Sequence, residues 1–204
     1  MNKIAVYASI LLPICIAGTA QTEEKPAPNR AYVSLKIGGS VPKNDSYNQN
    51  GSMVSFDNAV NVSTAVGMHL QPSVRLELEG SYRNYDVNAS VSVVGVPFKA
   101  TGDTTIRALM GNAYYDFPMD GPLKPYVVGG IGVAREDIEM TVSAPGFNIA
   151  AKSHHTEFAF QLGAGLSYAL SETVTADAGY HYFGIRNFDS DGYHEFLAGL
   201  RFGF

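Results

Sequence analysis

The sequence predicts an all-β fold, an eight-stranded antiparallel transmembrane β-barrel of the up-and-down type, and three observations support this. Apolar and polar side chains alternate along segments of about nine to thirteen residues, the length of a tilted membrane-spanning strand. Short and long connections follow one another in turn along the chain. Aromatic residues collect at the segment ends, as in the two girdles of a membrane barrel.

The start of the chain is typical of a secretory signal. Lys3 precedes an apolar stretch from Ile4 to Ala17, and small residues follow it. This stretch is shorter than the roughly twenty residues that a membrane-spanning helix needs. We therefore expect residues 1–20 to be a signal peptide, residues 21–30 a short periplasmic lead-in, and residues 31–204 the outer-membrane β-barrel domain.

Composition limits the kinds of chemistry that the exported chain can carry. Removal of residues 1–20 takes away Cys15, the sole cysteine, together with Lys3, and changes the formal net charge from −5 to −6. A chain without thiols forms no disulfide, which suits passage through an oxidising periplasm. Its negative charge argues against nucleic acid as a partner.

The alternation is clearest from Val74 to Arg83. One face of this segment is apolar, whereas the other carries Arg75, Glu77, Glu79, Ser81 and Arg83. A dry sandwich core could not hold four charges on one face without a large desolvation cost, so they must face water or one another. Seven similar segments complete the count of eight: Ala31 to Gly39, Val62 to Leu70, Thr105 to Phe117, Pro125 to Arg135, Glu157 to Leu170, Val174 to Phe183 and Glu195 to Phe204.

The connections predict which end of the barrel faces outward. Three are short, at residues 71–73, 119–124 and 171–173, and four are long, at residues 40–61, 84–102, 136–153 and 184–193. Outer-membrane barrels have short periplasmic turns and longer extracellular loops, and an even strand count places both termini in the periplasm. Within the second long connection, Ala89 to Val96 is apolar and β-rich, which favours a hairpin that extends the barrel.

The polar faces predict a lumen filled with interlocking acids and bases. Eight strands leave an interior just wide enough for side chains to fill. The proposed lumen network consists of Lys36, Arg75, Glu77, Glu79, Arg83, Glu157, Asp177, His181 and Arg201. The same faces also carry Asn112, Gln161 and Glu195. If Asn112 points inward, Arg107 faces lipid, which is acceptable only near the outer interface.

Four segments carry a resemblance to a known family: Asn112 to Phe117, Pro125 to Val133, Gly163 to Tyr168 and Ala178 to Phe183. Together they resemble the small outer-membrane β-barrel proteins of alphaproteobacteria, including rickettsial and Wolbachia-type surface antigens. More distantly, they resemble the OmpA-type transmembrane domain. The resemblance implies insertion by the barrel-assembly machinery and exposure of the long loops at the cell surface of a Gram-negative bacterium.

The carboxyl terminus resembles the assembly signal of that family. Gly199, Phe202 and the final Phe204 stand at the family's spacing, whereas Leu197 departs from the polar residue usual at its position. The resemblance implies that these three residues are recognised by the barrel-assembly machinery.

These observations favour a structural surface antigen, a plugged barrel whose loops interact with a host or surface ligand. Its other expected partners are outer-membrane lipid and lipopolysaccharide. The alternative is a narrow porin-like channel for small solutes. A lipid-modifying enzyme is less favoured, because lipid A deacylase barrels carry a histidine two residues before a serine and no such pair occurs here. We expect no catalytic site, cofactor or metal; His154 and His155 would face opposite sides of a strand.

Overall fold

The computed structural model describes residues 31–42, 53–56, 59–93, 96–186 and 192–204, which form nine antiparallel strands. The expected signal peptide and lead-in lie outside the described residues. No described helix is long and apolar enough to cross a membrane. The strands are β1 (Ala31–Pro42), β2 (Met53–Phe56), β3 (Ala59–Gln71), β4 (Val74–Val93), β5 (Val96–Asp116), β6 (Leu123–Ala144), β7 (Phe147–Ala169), β8 (Val174–Ile185) and β9 (Tyr193–Gly203).

Eight of these strands close into a barrel. Each pairs with its neighbours in the chain, and β1 closes the barrel by pairing with β9 from Tyr32 opposite Gly203 to Pro42 opposite Tyr193. The short strand β2 lies outside this ring and pairs only with the outer part of β4, opposite Val87 to Ser90. The prediction of an eight-stranded antiparallel barrel is confirmed. Closure leaves the membrane-spanning strands without a free edge, as a bilayer requires.

The alternation in sequence becomes the inside and outside of this barrel. Along β4, Leu76 and Leu78 are 42% and 53% exposed, whereas Glu77 between them is 4% exposed and lies in the lumen. The other strands follow the same rule, and large apolar side chains such as Ile37 and Ile131 stand on the outer surface. An apolar surface of this extent is stable only in lipid.

Aromatic side chains border the apolar belt at both ends, as predicted. Their outward-facing rings are exposed near the short turns at Tyr115, Phe117, Tyr168, Phe202 and Phe204, and near the outer end at Tyr82, Phe158 and Tyr180. Tyr182 is half-buried. On β5 and β6 the belt ends at Leu109 and Val133, and the next outward residues are Arg107 and Arg135.

Two of the four long connections continue the barrel wall as paired strands. Strands β4 and β5 remain paired from the membrane out to Val93 opposite Val96, so the hairpin expected at Ala89 to Val96 is present. Strands β6 and β7 likewise remain paired out to Ala144 opposite Phe147. The long connections predicted at residues 84–102 and 136–153 are therefore present as hairpins, because their segments are long enough to pair with each other and continue the ladder beyond the lipid.

Glycines allow neighbouring backbones of the wall to approach closely. A Cβ at Gly132, which faces the lumen, would overlap the carbonyl oxygen of Leu109 and the Sδ atom of Met110 on β5. A Cβ at Gly80, on the outer surface, would meet no atom within 4 Å. Gly132 therefore has no room for a larger side chain, whereas Gly80 has ample room, although both glycines lie within strands.

The variant Gly132→Ala is expected to lose at least about 1–3 kcal/mol of stability or to fail to fold, because the backbone of β5 cannot move away. The matched variant Gly80→Ala should keep the wild-type stability. Urea titration of each variant, refolded into lipid vesicles and followed by the heat-dependent shift on a gel, measures both. Equal stability of the two variants would contradict this packing.

Candidate functional site in the barrel lumen

Lys36 is the hub of the inner half of the lumen. Its Nζ atom donates to Glu77 Oε2 at 2.9 Å, to Glu79 Oε2 at 2.8 Å and to Tyr114 Oη at 2.8 Å. An ammonium group has three donors, so these contacts use all of them. Lys36 lies on β1, the two glutamates lie on β4 and Tyr114 lies on β5. The Lys36 side chain therefore connects β1 to two strands with which β1 shares no backbone hydrogen bonds.

Arg75 lies nearer the short-turn end and binds Asp116 with two hydrogen bonds. Arg75 Nε is 2.6 Å from Asp116 Oδ2, and Nη2 is 2.9 Å from Oδ1. Its Nη1 atom also donates to Tyr32 Oη at 3.2 Å, and its guanidinium lies 4.3 Å from the ring centroid of Tyr114. The paired carboxylate and the aromatic rings replace the water that a buried guanidinium loses.

A second ion pair lies beside the first at the periplasmic end. Arg201 Nε is 2.7 Å from Asp177 Oδ2, and Ser167 Oγ donates to the same carboxylate at 2.5 Å. A cavity of about 230 Å³ opens between the short turns, and both Asp116 and Arg201 line it. This vestibule therefore ends on charged side chains that are already paired.

Arg83 pairs with Glu195 in the outer half of the lumen. Arg83 Nε and Nη2 donate to the two carboxylate oxygens of Glu195 at 2.6 and 3.2 Å, and Nη1 donates to Ser81 Oγ at 2.7 Å. Ser40 Oγ donates to Glu195 as well, at 3.1 Å. The guanidinium stacks 3.8 Å from the ring centroid of Phe183. Arg83 and Glu195 are 1% and 0% exposed.

An apolar cluster lies beside Arg83 in the outer part of the lumen. Its buried members are Tyr85, Ile106, Ala108, Met110, Ala134, Ala159, Phe183, Ile185 and Tyr193.

Seven of the nine residues proposed for the lumen network lie in these ion pairs. They are Lys36, Arg75, Glu77, Glu79, Arg83, Asp177 and Arg201. His181 is buried but separate, and its Nδ1 makes no hydrogen bond to a described residue. Glu157 is half-buried at the outer end, opposite Ala134.

The proposed network omitted Asp116. The alternation along β5 indicates that Asp116 faces inward like Asn112 and Tyr114. Asp116 was omitted because it lies at the end of the strand, next to the turn. Sequence alternation assigns a face and not a partner, so the pair with Arg75 becomes evident only from the register.

Asp177 and His181 share the inward face of β8 but have separate surroundings. Asp177 is occupied by Arg201 and Ser167, and the described hydrogen bonds do not join it to His181. In the part of the chain that the structure describes, no three His, Cys, Asp or Glu residues are grouped so that they could hold a metal ion. His154 and His155 lie on adjacent positions of β7, opposite Asp137 and Glu136.

Arg107 faces outward and pairs with Asp137, which confirms the register in which Asn112 faces inward. The Nη1 atom of Arg107 is 2.7 Å from Asp137 Oδ2. Asn112 accepts a hydrogen bond from Gln161 Nε2 within the lumen at 2.6 Å.

A closed barrel with an apolar outer belt and a lumen of paired charges defines an integral outer-membrane protein. The chain belongs to the family of outer-membrane protein β-barrel domains, whose pattern it matches over residues 8–204. It is located in the outer membrane.

Among curated proteins, the chain is similar to the outer membrane protein PagN of Salmonella typhimurium, at 26% identity over 198 residues that cover 86% of this chain and 82% of PagN. It also matches an uncharacterised protein of Brucella abortus at 30% identity over 104 residues, which cover 48% of this chain and 37% of that protein.

Solved structures that share the fold include those of Ail and OprG. Ail, the attachment invasion locus protein of Yersinia pestis, solved with the heparin analogue sucrose octasulfate, aligns over 86% of this chain and 99% of its own at 15% identity, with a TM-score of 0.51. OprG of Pseudomonas aeruginosa aligns over 86% and 96% at 14% identity, with a TM-score of 0.51.

The single variants Arg83→Met and Glu195→Gln are expected to lose about 3–5 kcal/mol each, because each leaves a buried group without its partner. The double variant should lose clearly less than the sum of the two. Urea unfolding of the three refolded proteins measures this coupling. The exposed pair Arg107 and Asp137 is the control, since such a pair contributes at most about 1 kcal/mol. Additive losses at Arg83 and Glu195 would contradict direct pairing.

Proposed function

We propose that this protein is a plugged outer-membrane anchor, a surface antigen that displays its outer end for interaction with a host or surface ligand. The observation that carries the proposal is the filled lumen, in which Lys36 and Arg83 each bind carboxylates across the barrel. A protein with this interior would carry out its function through its outer surface and not through its lumen. We infer neither an enzymatic activity nor a cofactor for it.

Filling of the lumen argues against the alternative, a narrow channel for small solutes. An ion would have to separate Arg83 from Glu195 and then pass between Lys36 and its two glutamates, all of them buried. The observation that favours a channel is the vestibule of about 230 Å³, but it penetrates only from the short-turn end. Eight strands leave no further width for a wet path.

The outer end offers the surface that the proposal needs. The β4–β5 and β6–β7 hairpins continue roughly ten residues past the arginines at the belt edge, which corresponds to about 30 Å along a strand. At the tip of the second hairpin, Phe147 and Ile149 are each 52% exposed. Exposed apolar residues on a rigid scaffold are typical of protein interaction sites.

The proposal also includes the export of the chain and its assembly in the outer membrane. Residues 1–20 direct the chain across the inner membrane, and the barrel-assembly machinery recognises Gly199, Phe202 and Phe204 on β9 and after it. The outward exposure of Phe202 and Phe204 supports this role, because these rings stand at the short-turn rim, free of the lumen packing. The partial match to the Brucella protein supports the alphaproteobacterial affinity of the chain.

The refolded mature protein is expected to show no steady conductance in a planar lipid bilayer, because paired side chains block the lumen. A heat-shifted gel run on the same sample confirms that the barrel is folded, and a known porin in the same membrane shows that the assay detects channels. Reproducible open-channel steps from folded protein would make the porin-like function primary and contradict the plugged anchor.

A further inference from the structure

Two arginines stand at the outer edge of the apolar belt. Arg107 on β5 lies ten residues before Phe117, which directly follows that strand, and the outward residues between them are apolar or small. With a strand rise near 3.4 Å and a tilt of 35–45°, this separation spans about 25 Å, the height of the apolar band of outer-membrane barrels. Arg107 and its cross-strand partner Arg135 therefore lie at the level of the lipid headgroups.

The two arginines carry more positive charge than their neighbourhood neutralises. They are directly opposite each other on β5 and β6, an arrangement in which like charges destabilise a sheet. Asp137 bridges them, 2.7 Å from Arg107 Nη1 and 3.2 Å from Arg135 Nε, and so offsets only one of the two charges. Both guanidinium-bearing side chains remain more than half exposed, at 59% and 53%.

Further cations and aromatic rings flank the pair on the same side of the barrel. The Tyr82 ring centroid lies 5.9 Å from the Arg107 guanidinium, and Phe158 is exposed on β7 next to Val133. The exposed Arg186 follows β8, and its backbone N–H donates to Phe158 O. Among the described strand residues that face outward, the cations Arg107, Arg135 and Lys152 all lie on β5 to β7.

Charges farther out show from which direction an anion reaches the arginines. Four positions beyond the arginines on the same outer face, β5 and β6 carry Asp103 and Glu139 opposite each other, and Lys152 neutralises Glu139 only in part. A soluble polyanion that approaches from the medium meets these acids first. An anion anchored in the membrane reaches the arginines from below, where Leu109 and Val133 present an apolar surface.

We propose that Arg107 and Arg135 bind a phosphate group of lipid A, the anchor of lipopolysaccharide, in the outer leaflet. Guanidinium groups bind phosphate oxygens in a bidentate manner. Acyl chains of the same lipid pack on Leu109, Val133 and Phe158. Asp137 holds the two arginines in place and competes with the phosphate for them. This site is independent of the state of the lumen.

The test compares binding of diphosphoryl lipid A to protein refolded in detergent, measured by native mass spectrometry. The double variant R107Q/R135Q is expected to bind on the order of 25-fold more weakly, about fivefold for each arginine. The variant Asp137→Asn should bind several-fold more tightly, because it removes the competing carboxylate. Matched controls at the short-turn end, Lys124→Gln at the start of β6 and Asp120→Asn in the turn before it, should stay within about twofold of wild type.

Three results would overturn the proposal: undiminished lipid A binding by the double variant, an equal loss in Lys124→Gln, or equal binding of phosphatidylcholine. Tighter binding of a heparin fragment than of lipid A would overturn it as well and would indicate a soluble sulfated ligand. Dephosphorylated lipid A separates phosphate recognition from acyl-chain packing and should bind wild type as weakly as lipid A binds the double variant. If the double variant does not fold, the single variants Arg107→Gln and Arg135→Gln carry the test.

Discussion

Charge pairing inside the barrel is the constraint on which the rest of the structure depends. Alternation along β4 sends Arg75, Glu77, Glu79 and Arg83 inward, where eight strands leave no room for bulk water. An ion in such an interior costs several kcal/mol unless an opposite charge and further hydrogen bonds meet it. The pair of Arg83 with Glu195 and the three contacts of Lys36 meet this cost across the lumen.

The same pairing specifies the register of the wall. A slip of one residue along a strand exchanges its two faces, so that charges enter lipid and leucines enter the lumen. A slip of two residues keeps the faces but moves Lys36 away from Glu77 and Glu79. Backbone ladders alone do not distinguish a slip of two, whereas long-range side-chain pairs do. We infer that the ion pairs select one closed barrel from several that the hydrogen-bond ladder would allow.

The fold was accessible from sequence, whereas the partners within the lumen were not. The alternation of apolar and polar residues predicted which side chains face lipid or lumen, the number of strands and the outward position of Arg107. These features depend only on local strand geometry. The pairing of Arg83 with Glu195 joins residues that are 112 positions apart and depends on the register of four strands. Asp116 was missed for the same reason. The hairpin at Ala89 to Val96 was predicted from its apolar, β-rich composition, whereas the pairing across residues 136–153 was not predicted.

The outside of the barrel divides into surfaces with different tasks. Its apolar belt holds the protein in the membrane, and the hairpins beyond it are the surface proposed for recognition. Between them, Arg107 and Arg135 lie where lipid phosphates are found. The ion pairs across the lumen suit both roles, because they hold the strands that carry the outer side chains together.

Thiol accessibility tests the closed lumen most directly. Ser34 faces the lumen with 1% exposure, and Ser171 lies in an exposed periplasmic turn. In vesicles, a charged thiol reagent should leave the variant Ser34→Cys unmodified while it rapidly modifies Ser171→Cys, with both proteins shown to be folded by gel shift. Modification of Ser34→Cys at a rate close to that of Ser171→Cys would show a water-filled lumen and contradict the account.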